Sequence, residues 1–409
     1  MKKSDLKKYA KLIVRVGANI QEGQEVVISS SVEDAYFVPY LVEECYKAKA
    51  KKVTVEWGCS EVAKLTYQYQ SEETLTEIPN WSIEKSKHNA EVCPAMIRVG
   101  SFNPEGMKGV DQKKMMAVQR ANGAIMKPLR KKMEGKYQWT IAALAGEAWA
   151  KKVYPNLSKK EAMAKLWDNI FTCARVYGDP IKNWEEHNHD LVSRGKKLDA
   201  MNIKTLKYKS SNGTDFSIDL IPDTHFIGGG ELTKSNVFYN PNMPTEECFN
   251  SPAKYSANGV LMASKPLSVM GMLVDNFGFK FEKGKVVEVI AEDPKHKQAL
   301  ENFISIDEGA SYLGEVALVP FDSPVNKSGV LFYNTLFDEN ACCHFALGRG
   351  FSENVNDNLN KTHEEIKAYG INESMVHCDF MIGTADLNIE AICEDGNVVQ
   401  IFKDGTWAF

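Results

Sequence analysis

An imidazole and a carboxylate stand two residues apart in one apolar segment, Met375-Val376-His377-Cys378-Asp379-Phe380-Met381-Ile382-Gly383. In an extended strand the side chains alternate between faces. His377 and Asp379 would therefore project together, while Val376, Cys378 and Phe380 turn to the opposite, packed side. Such a pair could hold a divalent cation or could be satisfied by local hydrogen bonds. A second segment runs Leu336-Phe337-Asp338-Glu339-Asn340-Ala341-Cys342-Cys343-His344-Phe345-Ala346-Leu347-Gly348. Its small residues predict a helix from near Asp338 that carries His344 about a turn and a half beyond Glu339. The two would then border one cleft without sharing a helix face. Taken alone, Asp338 and Glu339 could be first-turn acids favoured by the helix dipole, and His344 a satisfied core histidine.

Two further acidic positions sit in apolar or turn-rich surroundings. Asn240-Pro241-Asn242-Met243-Pro244-Thr245-Glu246-Glu247 places paired acids after a proline-ordered turn, where they could act at a site or start a solvent-facing helix. Tyr312-Leu313-Gly314-Glu315-Val316-Ala317-Leu318-Val319 puts one carboxylate at the head of a hydrophobic strand. A carboxylate buried there is costly unless paired or bound to a cation, which makes Glu315 a candidate functional residue.

The elements that must position these residues fall into two halves. Residues 25–57 read as a βαβ unit, with Glu25–Ser29 and Val53–Trp57 strand-like and a helical periodicity from Val32 to about Ala48. A strand at Ala95–Val99, a helix from about Gln112 to Met133, a strand at Trp139–Ala143 and a long amphipathic helix from Lys159 to Val176 continue the alternation. His187-Asn188-His189 lies in a polar helical stretch behind them. This predicts an N-terminal α/β domain with a mostly parallel sheet, spanning residues 1–195. From about residue 203 the pattern changes. Asn212-Gly213 separates Leu206–Lys209 from Phe216–Leu220, a hairpin signal because both residues tolerate the positive φ of a type I′ turn. Strand-like pieces follow at Gly259–Ala263, Val286–Ala291, Val316–Pro320, Met375–Ile382 and Val398–Phe402. Residues 196–409 are therefore expected to form an α+β domain with largely antiparallel strands.

Several classes are excluded. The turn after the first strand is Ser29-Ser30-Ser31-Val32, which lacks the glycines of a dinucleotide-binding fingerprint. Gly228-Gly229-Gly230 is followed by Glu231 where a phosphate-binding loop needs lysine. The 409 residues carry 49 Lys+Arg and 54 Asp+Glu, a net charge of −5 that argues against a nucleic-acid partner. No apolar run reaches the roughly 18–20 residues of a membrane helix. Lysines interrupt the opening segment, and Leu6, Tyr9, Ala10, Ile13 and Val14 recur at helical spacing, so an amphipathic helix is expected there instead of a secretory signal. Nine cysteines without a CxxC pair suit a reduced, cytoplasmic protein.

Taken together, the motifs resemble the aminopeptidase T / aminopeptidase S / PepS family of dinuclear metallopeptidases. The likeness runs over nearly the whole chain. It is carried by Tyr9-Ala10-Lys11-Leu12-Ile13-Val14-Arg15-Val16-Gly17, Asn242–Glu247, Leu313-Gly314-Glu315, Phe337–Ala341 with His344, and His377–Gly383. The resemblance implies a metal-dependent aminopeptidase acting on peptides with a free N-terminus. It also implies that Glu247, Glu315, His344, His377 and Asp379 are metal ligands and that Glu339 is the catalytic glutamate. Two divalent ions are implied, Zn²⁺, Co²⁺ or Mn²⁺, since oxygen and imidazole donors suit all three. A homodimer is implied by the family alone. One position departs from the family pattern: Phe351 stands where members often carry a tyrosine thought to assist at the transition state. That departure keeps a catalytically impaired metal- or peptide-binding paralogue in view, and the same ions would also serve a hydrolase of non-peptide amides.

Overall fold

The computed structural model describes residues 2–101, 103, 106–269 and 272–409. The chain forms two compact units, Met1–Glu185 with Gly230–Pro244, and Glu186–Gly229 with Thr245–Phe409. It therefore passes between the units at three places.

The first unit is built on a five-stranded sheet, ordered Asn242–Met243, Trp139–Leu144, Ala95–Ser101, Glu25–Ser31, Lys52–Gly58. Every pairing is parallel. Parallel neighbours need crossovers, and the helices Val38–Lys47, Asn80–Val92 and Gln112–Met133 lie in those connections. The opening helix Lys3–Leu12 buries Leu6, Tyr9, Ala10 and Leu12, and Ile13 and Val14 in the wider turn after it are buried too. Tyr9 packs against Phe37, Trp167 and Phe171 and donates its hydroxyl to the Ala143 carbonyl at 3.1 Å. The amphipathic periodicity of that segment thus pins it to the sheet. The helix expected to reach Val176 ends at Cys173, where Arg175 takes a left-handed φ of 54°.

The second unit holds two main antiparallel sheets beside a two-stranded ribbon of Leu267–Val269 and Met272–Val274. The larger is ordered Lys285–Ala291, Phe277–Glu282, Asn258–Met262, Asp215–Asp219, Ile203–Lys209, Asn388–Cys393, Val398–Lys403, Thr406–Trp407. The smaller is ordered His377–Met381, His344–Gly348, Leu313–Leu318, Cys248–Asn250, Ile227–Gly228. An aromatic core lies between them. Phe345 of the small sheet meets Tyr208 and Phe216 of the large one at 5.1 and 5.4 Å, and Phe380 meets Phe279 at 5.2 Å. Each buried phenylalanine contributes about 1.5–3 kcal/mol, so this interface holds the small sheet by one of its faces.

Two local expectations change. The Ser210–Thr214 connection is a five-residue loop in which only Gly213 takes positive φ, at 102°, so the type I′ turn does not form. Asp386 holds this loop, accepting from the Ser211 N–H at 2.9 Å and the Ser210 hydroxyl at 3.1 Å. The helix predicted from Asp338 through His344 is also absent. A short helix Thr335–Asp338 and one 3₁₀ turn Glu339–Ala341 end at Cys342, whose φ of −165° is fully extended, and His344 opens a strand. That strand is buried along its length and paired on both sides, and two rows of ladder hydrogen bonds with apolar burial outweigh the helix propensity of its small residues.

Candidate metal centre

The small sheet has one packed face and one face left for chemistry, and register assigns the residues between them. Glu315 lies opposite Ala346, Ala346 opposite Asp379, and Gly348 opposite His377. Directly opposed residues share a face, as do residues two apart on a strand. Glu315, His344, Ala346, His377 and Asp379 consequently project to one side. Val316, Phe345, Leu347, Cys378 and Phe380 turn into the aromatic core. Phe249 pairs with Ala317, which puts Glu247, two residues earlier, on the chemical side as well. A bulge between Leu313 and Glu315 sets the glutamate's register. Gly314 is required there, because a Cβ would lie 2.4 Å from the carbonyls of Gly348 and Arg349.

Two groups of ligand-type atoms result. Glu247, Glu315 and His344 bring one atom each within 4.8 Å of one another, and Glu315, His377 and Asp379 do the same. Glu315 is common to both. The His344 Nε2 lies 3.3 Å from Glu247, and the His377 Nε2 lies 3.2 Å from both Glu315 and Asp379. Each ring is oriented through its other nitrogen. The His377 Nδ1–H donates to the Arg349 carbonyl at 2.7 Å, and the His344 Nδ1–H to the Cys342 carbonyl at 3.3 Å. Only a protonated Nδ1 can donate to a carbonyl, so both Nε2 atoms face the carboxylates, the arrangement that a metal-binding histidine needs.

Glu339 belongs to neither group. Burial, and then the charges of Asp379, Glu247 and Glu315, raise its carboxyl well above the ordinary glutamate range. Burial likewise lifts Glu315 to about 7, against the hydrogen bond from His377. The imidazoles respond in the opposite sense. Burial draws His344 down, but the Glu247 hydrogen bond and surrounding carboxylates outweigh it and raise the ring to about 9. His377 reaches about 11 through Asp379 and Glu315, again against burial. Four carboxyl groups converge on two imidazoles, and the raised Glu315 and Glu339 show that the four cannot all ionise together without further positive charge; divalent cations would supply it through the hard oxygen and borderline nitrogen donors at hand.

The positions expected from the sequence thus come together, with different surroundings in two cases. Glu246 and Glu247 do not start a solvent-facing helix; both are buried in the extended stretch before Cys248–Asn250. The Thr245 carbonyl in that stretch accepts from His187 on the helix Pro180–Ala200 at 2.7 Å. Phe351 lies edge-on to His377, with centroids 5.0 Å apart, and to Phe249 at 5.3 Å. Sequence reasoning missed Ala346, the small residue between two carboxylates, and the carbonyls of Cys342 and Arg349. A backbone acceptor leaves no side-chain signature, whereas an alanine between larger apolar neighbours was a signal available in the strand.

A family model described as thermophilic metalloprotease (M29) matches residues 2–407. The molecule is accordingly a metal-dependent peptidase, and the family entails a divalent metal cofactor. The chain belongs to the M29 thermophilic metalloprotease family. It is 41% identical to aminopeptidase AmpS of Bacillus subtilis over 406 residues, covering 99% of this chain and 98% of that protein. It is 37% identical to aminopeptidase T of Thermus thermophilus over 407 residues, with the same coverage. The solved structure of wild-type AmpT from Thermus thermophilus superposes with a TM-score of 0.91 at 36% identity, covering 100% of both chains. The α/β first unit and antiparallel second unit agree with the fold class expected from sequence.

Proposed function

We propose that this metal-dependent aminopeptidase removes N-terminal residues from peptides with two divalent ions, one held by Glu247, Glu315 and His344 and the other by Glu315, His377 and Asp379. The observation that carries this is the sharing of Glu315 between two groups of ligand atoms. Zn²⁺, Co²⁺ or Mn²⁺ suits the donors. Bound ions supply the Lewis acidity that activates a water and polarises the scissile carbonyl. The protein's own part is to place the acid and base. Glu339 stands off both groups yet feels their charges, and it takes a proton from the attacking water and delivers it to the departing amine nitrogen. The backbone carbonyls of Arg349 and Cys342 keep both imidazoles turned inward, so no reorientation is needed when substrate binds.

The wider assignment is a cytoplasmic homodimer. The nine cysteines are all free, which suits a reducing compartment. No helix among the described residues is long and apolar enough to cross a membrane. Light scattering that returns a monomer would remove the dimer from the assignment. An impaired paralogue is favoured by one feature, the Phe351 ring beside His377 with no hydroxyl to donate.

The decisive experiment uses E339Q with aminoacyl p-nitroanilides and their N-acetylated counterparts, on metal-stripped protein reloaded with each ion separately. The variant should keep the full metal content and lose turnover by about 10²–10⁴-fold. Wild-type protein should cleave only the free-amine substrates and only with metal. Near-wild-type turnover by E339Q would remove Glu339 as the general base.

A further inference from the structure

One buried side chain joins the proposed general base to the segment that presents a proposed ligand. Asn340 has no exposed surface. Its Nδ2 donates to the Leu336 carbonyl at 3.0 Å and to the Glu339 Oε1 at 3.4 Å. Its Oδ1 accepts from the Glu246 N–H at 2.7 Å. The orientation of the amide is fixed by chemistry. Turned over, its oxygen would face a carbonyl and a carboxylate, and its NH₂ would face another N–H donor.

The three bonds have different consequences. The bond to Leu336 ties the side chain back to its own helical turn. The other two reach the site, because Glu339 is the preceding residue and Glu246 adjoins Glu247. Glu339 has to lie against carboxylates that repel it, and a neutral donor steadies it there without adding charge. The same amide fixes the backbone from which Glu247 projects, so base and ligand are placed by one rigid group.

We propose that Asn340 is a positioning residue that sets the Glu339 carboxylate relative to the metal group built on Glu247. The assignment rests on the metal and proton roles proposed above. Both polar atoms of Asn340 are taken up by protein groups, so it acts through Glu339 and Glu246.

Two variants separate its two bonds. N340D keeps an oxygen to accept from the Glu246 N–H, but turns its second oxygen on the Leu336 carbonyl and the Glu339 carboxylate. N340A loses both contacts. Full-length wild-type, N340D, N340A and E339Q proteins are loaded with Zn²⁺ or Co²⁺ and measured for metal content, resistance to a chelator, kcat, KM and melting temperature. For N340D the expectation is a kcat lowered by about 10- to 100-fold, as small misplacements of catalytic groups commonly cost, with KM within a few-fold and metal retention unchanged. N340A should lose kcat to the same extent and release metal at a lower chelator concentration. A purely structural asparagine would lower the melting temperature without this split between kcat and KM, or between the two variants in metal retention.

N340D turning over within threefold of wild type, while E339Q is inactive, would overturn the positioning role and leave the general base in place. Activity in E339Q would instead remove the general base itself. Should N340D fail to fold, N340S takes its place. Its shorter hydroxyl cannot span from Glu246 to Glu339, so the same loss in kcat is expected and wild-type turnover would refute the role.

Discussion

Neighbouring residues on one strand should respond oppositely to substitution. Ala346 and Leu347 are adjacent in His344–Gly348, and both are buried. Ala346 faces the proposed metal groups between Glu315 and Asp379, while Leu347 faces the aromatic core. Across an antiparallel ladder opposed Cβ atoms lie about 5 Å apart, so the Ala346 methyl occupies the space between two carboxylate stems. A346V adds two carbons there. Overpacking of this kind costs about 1–3 kcal/mol in stability. Its larger effect falls on the site, because Glu315 belongs to both ligand groups and any displacement of it disturbs both. Metal content should fall well below that of wild type, and turnover by at least about 100-fold. L347A removes a buried side chain from the other face and should cost about 2–5 kcal/mol, while metal content per folded chain stays at the wild-type value. Plasma emission spectrometry for metal, calorimetry for stability and p-nitroanilide release for turnover read the three quantities on the same preparations. An A346V protein that melts early but binds metal and turns over normally would refute the assignment of faces, as would an L347A protein that folds but has lost its metal.

Three further outcomes are expected. E315Q should abolish binding at both groups, whereas D379N should weaken only one; equal metal contents in the two variants would exclude a shared ligand. F351Y places a hydroxyl beside His377, and a large gain in kcat would identify impaired chemistry in the native chain, while an unchanged kcat would show that the site does not use that donor. Asp386 is held below the ordinary aspartate range by hydrogen bonds from Ser211 and Thr384. A carboxyl depressed in the folded state stabilises it above the unfolded pKa, so D386A should melt lower than wild type at neutral pH. The gap should close as pH falls from about 4 through the folded value. A gap that stays constant down to pH 2 would mean that the carboxylate's charge contributes nothing.

Much of this protein is legible without coordinates where the controlling interaction is local. The alternation of an extended chain alone puts His377 and Asp379 on one side and Val376, Cys378 and Phe380 on the other, as observed. Apolar periodicity likewise placed the opening helix and four of the five parallel strands of the first unit, because burial of one face is written in the spacing of the residues. The strand at His344 escaped the same reasoning. Its small residues accept either conformation, and the choice was made by the two strands that flank it, which come from distant parts of the chain.

The tertiary structure alone decided the rest. Register set Glu315, Ala346 and Asp379 in one row, so that a glutamate with no sequence neighbour among the other ligand-type residues is common to both groups. The return of residues 230–244 to the first unit, which adds Asn242–Met243 to the parallel sheet just before Glu247, has no local signature either. Nor do the Arg349 and Cys342 carbonyls that aim the imidazoles. A carbonyl is present at every residue, and only the path of the backbone determines which one meets a histidine. Residue types fixed the chemistry this chain is able to perform, and long-range strand pairing fixed which of those groups meet.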